Sequence, residues 1–338
     1  MKSTDVERLL LGEITEVVGC TEPAALAHAV QCAKRHLRDR FDVNTFSAEI
    51  ELSPEVFRNA STAVVPVINK RGIRQAVIAG LLSTSNGFNP FVGLKIPPKN
   101  PLFSRRSWLK VIPSKRHGIY VRAELITPKE SIAVTIRGRH DSIVAIEKNR
   151  KVVYRKRERR LPRLRGLKEI AKIVERRDKR LESLAYRFVK RQVKGDPGKT
   201  PSKHIVALIT GRMCGKSLPV LTITGSGNQG IFLGAPLFSL YREKGRRALP
   251  AVLFALLTQI YLSQLRKRIS HECGLATKAA PALAAGLAYE GGADVAAVRR
   301  IMGTVYGRLK NIPCPGAKPS CGAKGARALR CVLEALDT

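Results

Sequence analysis

The sequence has few acidic side chains, few aromatic rings and no long apolar run. Asp and Glu number 26 against 61 Lys and Arg, which gives a formal net charge of +35. Aromatic residues make up 5% of the chain, which argues against a stacking platform for single-stranded nucleic acid. The longest apolar stretch, 248–262, is too short to cross a bilayer. We therefore expect a buried helix there and no membrane anchor.

We expect neither a leader nor a disulfide framework in this chain. Charged residues interrupt the apolar ones throughout 1–18, so we expect no signal peptide and a cytoplasmic location. The cysteines are odd in number and include no C-x2-C pair, so we expect reduced thiols and no common structural zinc site. They are Cys20, Cys32, Cys214, Cys273, Cys314, Cys321 and Cys331.

A phosphate loop is missing as well. The stretch GRMCGKS, 211–217, is one residue short of the G-x-x-x-x-G-K-[ST] pattern. A phosphate loop must open a helix, whereas the following LPVLTIT has the β-branched character of a strand. This mismatch argues against an ATPase of that type.

The positive charge is concentrated in the segment 148–194, which spaces Leu, Ile and Val at helical intervals from 167 to 193. We favour the solvated basic face of an amphipathic helix. Nonspecific nucleic-acid binding through this region stays open as the alternative, because so high a net charge attracts polyanions.

Periodicity predicts an α+β fold. Helices are expected over 5–18 and 24–38, with Cys20 at their junction. Alternating strands are expected between 45 and 154, together with a helix over 72–82, and helices dominate after 167. We predict an N-terminal helical segment (1–43), a β-rich α+β region (44–160) and a mainly helical C-terminal region that binds a cluster (161–338).

Four short motifs contain residues able to do chemistry: GCTEP at 19–23, GSGNQG at 225–230, HECG at 271–274 and CPGAKPSC at 314–321. Each alone reads as a helix cap, a turn or a loop, and a cysteine is often only a small buried hydrophobe. We assign Cys32, Cys214 and Cys331 to that class.

Together and in this order, the motifs resemble the L-cysteine desulfidase family, whose catalytic domain is similar to the alpha chain of the iron-sulfur L-serine dehydratases. The stretch GRHDSIVAIEKN, 138–149, is similar to a further family motif. The resemblance spans about Cys20 to Cys321, and the joint occurrence is more specific than any single motif.

The resemblance implies a [4Fe-4S] cluster held by Cys273, Cys314 and Cys321, with one iron left open as a Lewis acid. It makes Cys20 the proton acceptor, and a thiol of near-neutral pKa at a helix N-terminus suits that role. The substrate-binding residues that we expect are Thr21, Glu22, Asn59, Ser226, Asn228, Gln229 and Lys318.

The implied reaction converts L-cysteine and water to pyruvate, ammonia and hydrogen sulfide without pyridoxal phosphate. The small-molecule substrate is then an amino acid, and assembly into a homo-oligomer is left open. One alternative is a dehydratase acting on L-serine or another small hydroxy acid. Another is a basic nucleic-acid-binding protein with a structural metal, for example zinc held by the three cysteines and His271.

Two segments depart from the family pattern. Where the family has a glycine-rich stretch, this chain has FRNASTAVVPVINKRG at 57–72, so we expect the segment 64–71 to be remodelled. Pro315 stands where the family has Asp. Both changes bear on which substrate is used.

Overall fold

The predicted α+β class is confirmed by a computed structural model, which describes residues 1–38, 42, 45–97, 100–105, 107–157, 161–192 and 200–337. The helices are α1 (Ser3–Glu13), α2 (Thr21–His36), α3 (Pro54–Thr62), α4 (Ile73–Leu82), α5 (Leu167–Glu175), α6 (Lys179–Gln192), α7 (Pro201–Met213), α8 (Gly227–Lys244), α9 (Leu249–Leu265), α10 (Ala280–Glu290), α11 (Val295–Leu309) and α12 (Cys321–Leu336). The strands are β1 (Ile14–Val18), β2 (Ser47–Leu52), β3 (Val64–Val65), β4 (Lys70–Arg71), β5 (Leu109–Pro113), β6 (Tyr120–Ile126), β7 (Ser131–Arg137), β8 (Ile143–Lys148), β9 (Lys151–Arg155) and β10 (Pro219–Ile223).

The middle region forms a six-stranded sheet in the order β5-β2-β6-β7-β8-β9. Strand β2 runs parallel to β5, and the other neighbours are antiparallel. Burial alternates along β2 and β6, because one face of the sheet packs against α2 while the other faces solvent. The alternating strands predicted between 45 and 154 are confirmed.

The C-terminal region packs helices around α9 and α10, whose side chains are buried on nearly every side. The helical stretch 227–265 is long and apolar enough by composition to cross a membrane. However, 78% of its most apolar window is buried within the protein. The burial identifies it as a core element, as the sequence predicted for 248–262.

The predicted helix over 5–18 is wrong in its second half. Helix α1 ends at Glu13, and Ile14–Val18 forms strand β1, which pairs antiparallel with β10. The apolar spacing suits a helix, but β-branched residues dominate this segment and a distant partner strand supplies its backbone hydrogen bonds. Cys20 therefore lies at a strand-to-helix junction, as the N-cap residue of α2.

The predicted basic helix over 167–193 is two helices rather than one. Arg177 adopts a positive φ of 53° between α5 and α6. The Asp178 carboxylate accepts a hydrogen bond from the backbone N–H of Arg180 at 2.9 Å and so starts the second helix. Within the basic region 148–194, residues 158–160 and 193–194 lie outside the described residues.

Helices α2 and α4 approach each other closely at Gly80. A Cβ atom built there would lie 2.5 Å from the Ala27 carbonyl oxygen and 2.8 Å from Val30 Cβ. Since α2 begins at Cys20, this contact helps to fix the helix that presents the GCTEP motif.

We expect Gly80→Ala to lower the free energy of unfolding by about 1–3 kcal/mol, because the methyl group must force two helix backbones apart. The matched control is Gly303→Ala on α11, where nothing lies within 4 Å of the added atom. It should stabilise by roughly 0.5–1 kcal/mol through helix propensity. Urea unfolding of both variants checks this, and equal effects would contradict the close approach.

Candidate active site

Residues from all four motifs line one cavity of about 110 Å³. Four helical segments begin at its wall: α2 after Cys20, α8 after Ser226, the π-helical segment Leu275–Ala279 after Gly274, and α12 at Cys321. The N-terminus of a helix carries a partial positive charge and unpaired N–H groups. The cavity is therefore suited to anionic groups such as thiolates and carboxylates.

The three predicted ligand cysteines, Cys273, Cys314 and Cys321, all line this cavity. A short antiparallel bridge joins Glu272 to Pro313. In it the Cys273 N–H donates to the Ile312 carbonyl at 2.9 Å, and the Cys314 N–H donates to the His271 carbonyl at 2.7 Å. This backbone pairing brings two thiols together that are 41 positions apart in the chain (314 minus 273).

The CPGAKPSC loop is held against α3. Gly316 has φ 107°, and a Cβ atom there would lie 2.4 Å from Thr62 Oγ1. The same hydroxyl accepts a hydrogen bond from the Ala317 N–H at 3.0 Å. Lys318, which we predicted to bind substrate, has an exposed side chain outside the cavity lining, and its backbone carbonyl accepts from the Cys321 N–H at 3.0 Å. The contact that Lys318 makes is this backbone hydrogen bond, which closes the CPGAKPSC loop.

Cys20 and Glu22 form a buried pair at the start of α2. The Cys20 thiol donates to Glu22 Oε2 at 3.0 Å, and Thr21 Oγ1 donates to the same oxygen at 3.2 Å. Asn59 Nδ2 donates to the other oxygen, Oε1, at 2.9 Å. Three of the predicted substrate-binding residues are thus already hydrogen-bonded to one another in the cavity wall.

The structure contradicts the near-neutral pKa that we expected for Cys20. Burial, and then the neighbouring Glu22 charge, raise the pKa of this thiol well above its usual value, although Arg212 opposes the rise. Burial opposes ionisation of Glu22 too, but the neighbouring His140 and the hydrogen bonds from Cys20 and Asn59 lower its pKa to about 2. At neutral pH the pair therefore holds one proton, which is bound to the Cys20 sulfur while Glu22 is ionised.

Two residues that we did not predict stand beside this pair. Arg212 is 2% exposed, donates from Nη1 to Asn228 Oδ1 at 2.6 Å, and has no hydrogen-bond partner on Nε. His140 Nε2 lies 3.6 Å from Glu22 Oε1, and neither ring nitrogen has a hydrogen-bond partner. For His140 the signal was available, because it lies in GRHDSIVAIEKN, a stretch that carries the family resemblance, whereas we considered the stretch around Arg212, GRMCGKS, only as a phosphate loop.

The GSGNQG turn places Ser226, Asn228 and Gln229 in the cavity wall, as predicted. Ser226 Oγ accepts from the Gln229 N–H at 3.4 Å and caps α8. Gln229 Oε1 accepts from the buried Gln259 at 2.5 Å, which fixes the orientation of its amide. Its Nε2 packs against Gly274, where an added Cβ would lie at 2.7 Å.

The segment 64–71 contributes no described residue to the cavity lining. It forms the β3–β4 hairpin, with positive φ at Val67 and Asn69. Pro66 packs beside Gly19, where an added Cβ would lie 2.6 Å from Pro66 Cγ. The segment 64–71 therefore packs through Pro66 against Gly19, the residue before Cys20, and does not line the cavity.

The donor set fits an iron-sulfur cluster better than a single ion. The three thiols line one cavity, and Cys273 and Cys321 lie at the start of helical segments, while His271 instead contacts Arg58 with 2.8 Å between Nδ1 and Nη1. Within the described ranges, no three His, Cys, Asp or Glu side chains are arranged to hold one metal ion. A cluster distributes its ligands over several irons, so its thiols stand farther apart.

The buried Glu22 charge predicts acid-dependent stability. Its folded-state pKa lies below that of an unfolded Glu, so the stabilisation is complete above about pH 4.3 and is lost between about pH 4.3 and 2. We expect wild type to lose about 3 kcal/mol more than Glu22→Gln between pH 6 and pH 2 in urea unfolding. The exposed Glu243→Gln serves as the control. Equal pH slopes for wild type and Glu22→Gln would contradict the buried charge.

The chain matches a protein-family model described as serine dehydratase alpha chain over residues 117–337. This range is 221 of the 338 residues (337 minus 117, plus one) and contains the three candidate cluster ligands, Cys273, Cys314 and Cys321. It excludes Cys20 and Glu22, which lie on the N-terminal side.

Whole-chain similarity extends to three bacterial relatives, each called a UPF0597 protein. The one from Thermosipho melanesiensis is 24% identical over 337 residues, covering 92% of this chain and 83% of the relative. The one from Kosmotoga olearia is 27% identical over 371 residues, covering 96% and 86%. The one from Caldanaerobacter subterraneus is 23% identical over 367 residues, covering 97% and 86%.

Proposed function

This chain belongs to the serine dehydratase alpha chain family, a family of iron-sulfur lyases, and we propose that it removes sulfide from L-cysteine. The products are pyruvate, ammonia and hydrogen sulfide. The observation that carries the proposal is the position of the Cys20–Glu22 pair in the same cavity wall as Cys273, Cys314 and Cys321. An elimination without pyridoxal phosphate needs a base that removes the α-proton and a Lewis acid that assists the leaving group. Cys20 would supply the first, and a cluster bound by the three thiols would supply the second.

The reaction balances as a β-elimination. The Cα–H bond breaks and its proton goes to Cys20 Sγ, while the Cβ–S bond breaks and sulfur leaves with the electron pair. The remaining electron pair forms the Cα–Cβ double bond of aminoacrylate. Aminoacrylate tautomerises to an imine, which water hydrolyses to pyruvate and ammonia.

Cys273, Cys314 and Cys321 would hold the [4Fe-4S] cluster. When bound, the cluster supplies an iron without a protein ligand, which acts as a Lewis acid toward the substrate. Arg212 lies close enough to the Cys321 thiol to interact with its charge, and the N-terminus of α12 begins at that same residue. Both features place positive charge beside the three thiols.

Cys20 needs an acceptor for its own proton before it can take one from the substrate. Glu22 Oε2 lies 3.0 Å from Cys20 Sγ and is ionised, so it is placed to receive that proton. The cost of this transfer is high in the substrate-free protein, because the pKa of Cys20 is raised and that of Glu22 is about 2. The positively charged ammonium of an amino-acid substrate would lower the pKa of the thiol.

The substrate carboxylate fits the N-terminus of α8. The backbone N–H groups of Gly227 and Asn228 lie in the first turn of α8, where the helix itself supplies no acceptor. Arg212 stands behind them through its 2.6 Å hydrogen bond to Asn228 and has one N–H without a partner. A carboxylate held here would face the thiol of Cys20 across the cavity that both line.

The first test is the cluster itself. Protein purified without oxygen should contain about four irons and four acid-labile sulfides per chain, and Cys314→Ala should lose most of both. The exposed Cys214→Ser, outside the cavity lining, is the control and should retain them. Wild-type protein that binds zinc, or no iron, would overturn the proposal.

Substrate identity follows from the products of the same preparation. L-cysteine should give equal amounts of sulfide and pyruvate, whereas L-serine gives pyruvate alone. A kcat/KM for L-serine above that for L-cysteine would replace the proposed desulfidase with the dehydratase alternative, which the family name favours.

The proton acceptor is tested by Cys20→Ser and Glu22→Gln, with Cys214→Ser as the control. We expect each of the first two to lower kcat by about 10²–10⁴-fold with iron content unchanged, as for the loss of a general base. Glu22→Gln should also lower the pKa of Cys20, because the Glu22 charge raises it.

The Glu22→Gln variant therefore separates two effects. In cluster-free protein, Cys20 should react faster with iodoacetamide at pH 8 than it does in wild type, while the turnover of the loaded variant falls. Mass spectrometry of the Cys20 peptide measures the first quantity. Full activity in Cys20→Ser, or unchanged alkylation in Glu22→Gln, would contradict the assigned pair.

A further inference from the structure

The solvent-facing side of the six-stranded sheet carries a concave, strongly basic surface that the lyase function does not use. Five cations line a cavity of about 460 Å³: Arg116, Arg122, Arg137, Arg155 and Lys156. We call this surface the arginine groove. Glu147 is the one carboxylate among its described lining residues, and the others are Tyr120, Thr135, Val144 and Ala145.

The strand register explains why these cations meet. Arg122, Thr135, Ala145 and Arg155 pair in one row across β6, β7, β8 and β9. Side chains in such a row project from the same face of the sheet. In the next row, Tyr120 pairs with Arg137 at the end of β7. The opposite face is buried against α2, so this side of the sheet is the one that faces solvent.

The groove has more positive than negative charge at close range. Arg122 is balanced by Glu124 at 2.7 Å and Glu147 at 3.1 Å. Arg116, Arg155 and Lys156 are exposed at the rim, where no described lining carboxylate other than Glu147 offsets them. Like charges gathered in a concavity raise the local potential, and the net charge of +35 adds to it.

Several cations are held in place before any ligand arrives. The Arg116 guanidinium lies 4.9 Å from the centre of the Tyr120 ring, and Lys156 Nζ donates to Ser142 Oγ at 3.2 Å. Less side-chain entropy is then lost on binding. Tyr120 is 5% exposed, so its ring offers no stacking surface for a base.

We propose that the arginine groove binds a chain of phosphoryl groups, carried either by a small polyphosphate such as a nucleotide or by a nucleic-acid strand. The guanidinium fork matches phosphate oxygens in pairs. The volume lies within the range of small-ligand pockets. From the sequence we considered the whole basic region 148–194 as a nucleic-acid-binding segment. Only two of its described residues, Arg155 and Lys156, line the groove, and the other three cations are arginines from outside that region.

The test is isothermal titration of the purified chain with inorganic tripolyphosphate and, separately, with a 20-nucleotide oligothymidylate, both at about 0.15 M salt. Arg116→Gln/Arg155→Gln should weaken binding of at least one probe by about tenfold or more. The matched control is Arg180→Gln/Arg187→Gln, which removes two exposed arginines from α6 and should change affinity by less than about twofold.

The two probes distinguish the sources. Groove-dependent binding of tripolyphosphate identifies a small ligand, whereas groove-dependent binding of the oligonucleotide alone identifies a nucleic-acid strand. Equal weakening by both double variants would show a diffuse charge effect and overturn the proposal, as would the absence of binding. Thermal melts confirm that each variant is folded. The assay needs neither iron nor turnover, so its result is independent of the proposed lyase activity.

Discussion

The candidate site depends on keeping negative charge inside a protein. An ionised carboxylate at Glu22 and three thiols at Cys273, Cys314 and Cys321 line the same cavity. Burial of an uncompensated charge costs several kcal/mol. Four helix N-termini and the positive charge of the buried Arg212 offset this cost. The helix dipoles belong to the backbone, so they are present whenever the fold is intact.

This constraint explains why the site is assembled from distant parts of the chain. Strand β1 leads into Cys20 and pairs with β10, which leads into the turn that caps α8. The bridge between Glu272 and Pro313 places the first two cluster thiols side by side. Each helix that points its N-terminus at the cavity therefore has its own anchor close to its first residue.

The interior cavity and the outer surface of this molecule favour charges for different physical reasons. The interior cavity favours anions through a few fixed dipoles at short range, whereas the exterior carries the large cationic excess. The arginine groove lies on the outer face of the sheet, while the inner face packs on α2, the helix that begins at Cys20. Surface charge is screened by salt over about 8–10 Å, so it can change without disturbing the chemistry inside.

The sequence by itself determined the fold class, most of the strands and ten of the eleven predicted site residues that line the cavity, all but Lys318. Local periodicity identifies a strand such as β7, and short motifs mark Cys20 and Gln229, because these signals need only neighbouring residues. The tertiary structure alone decided the state of those residues. The proton on Cys20, the strand β1 in place of a helix, and the exposure of Lys318 all follow from partners far away in the chain, which no local pattern contains. A pKa in particular is set by burial and by charges a few ångströms away in space, so it emerges only once the chain is folded.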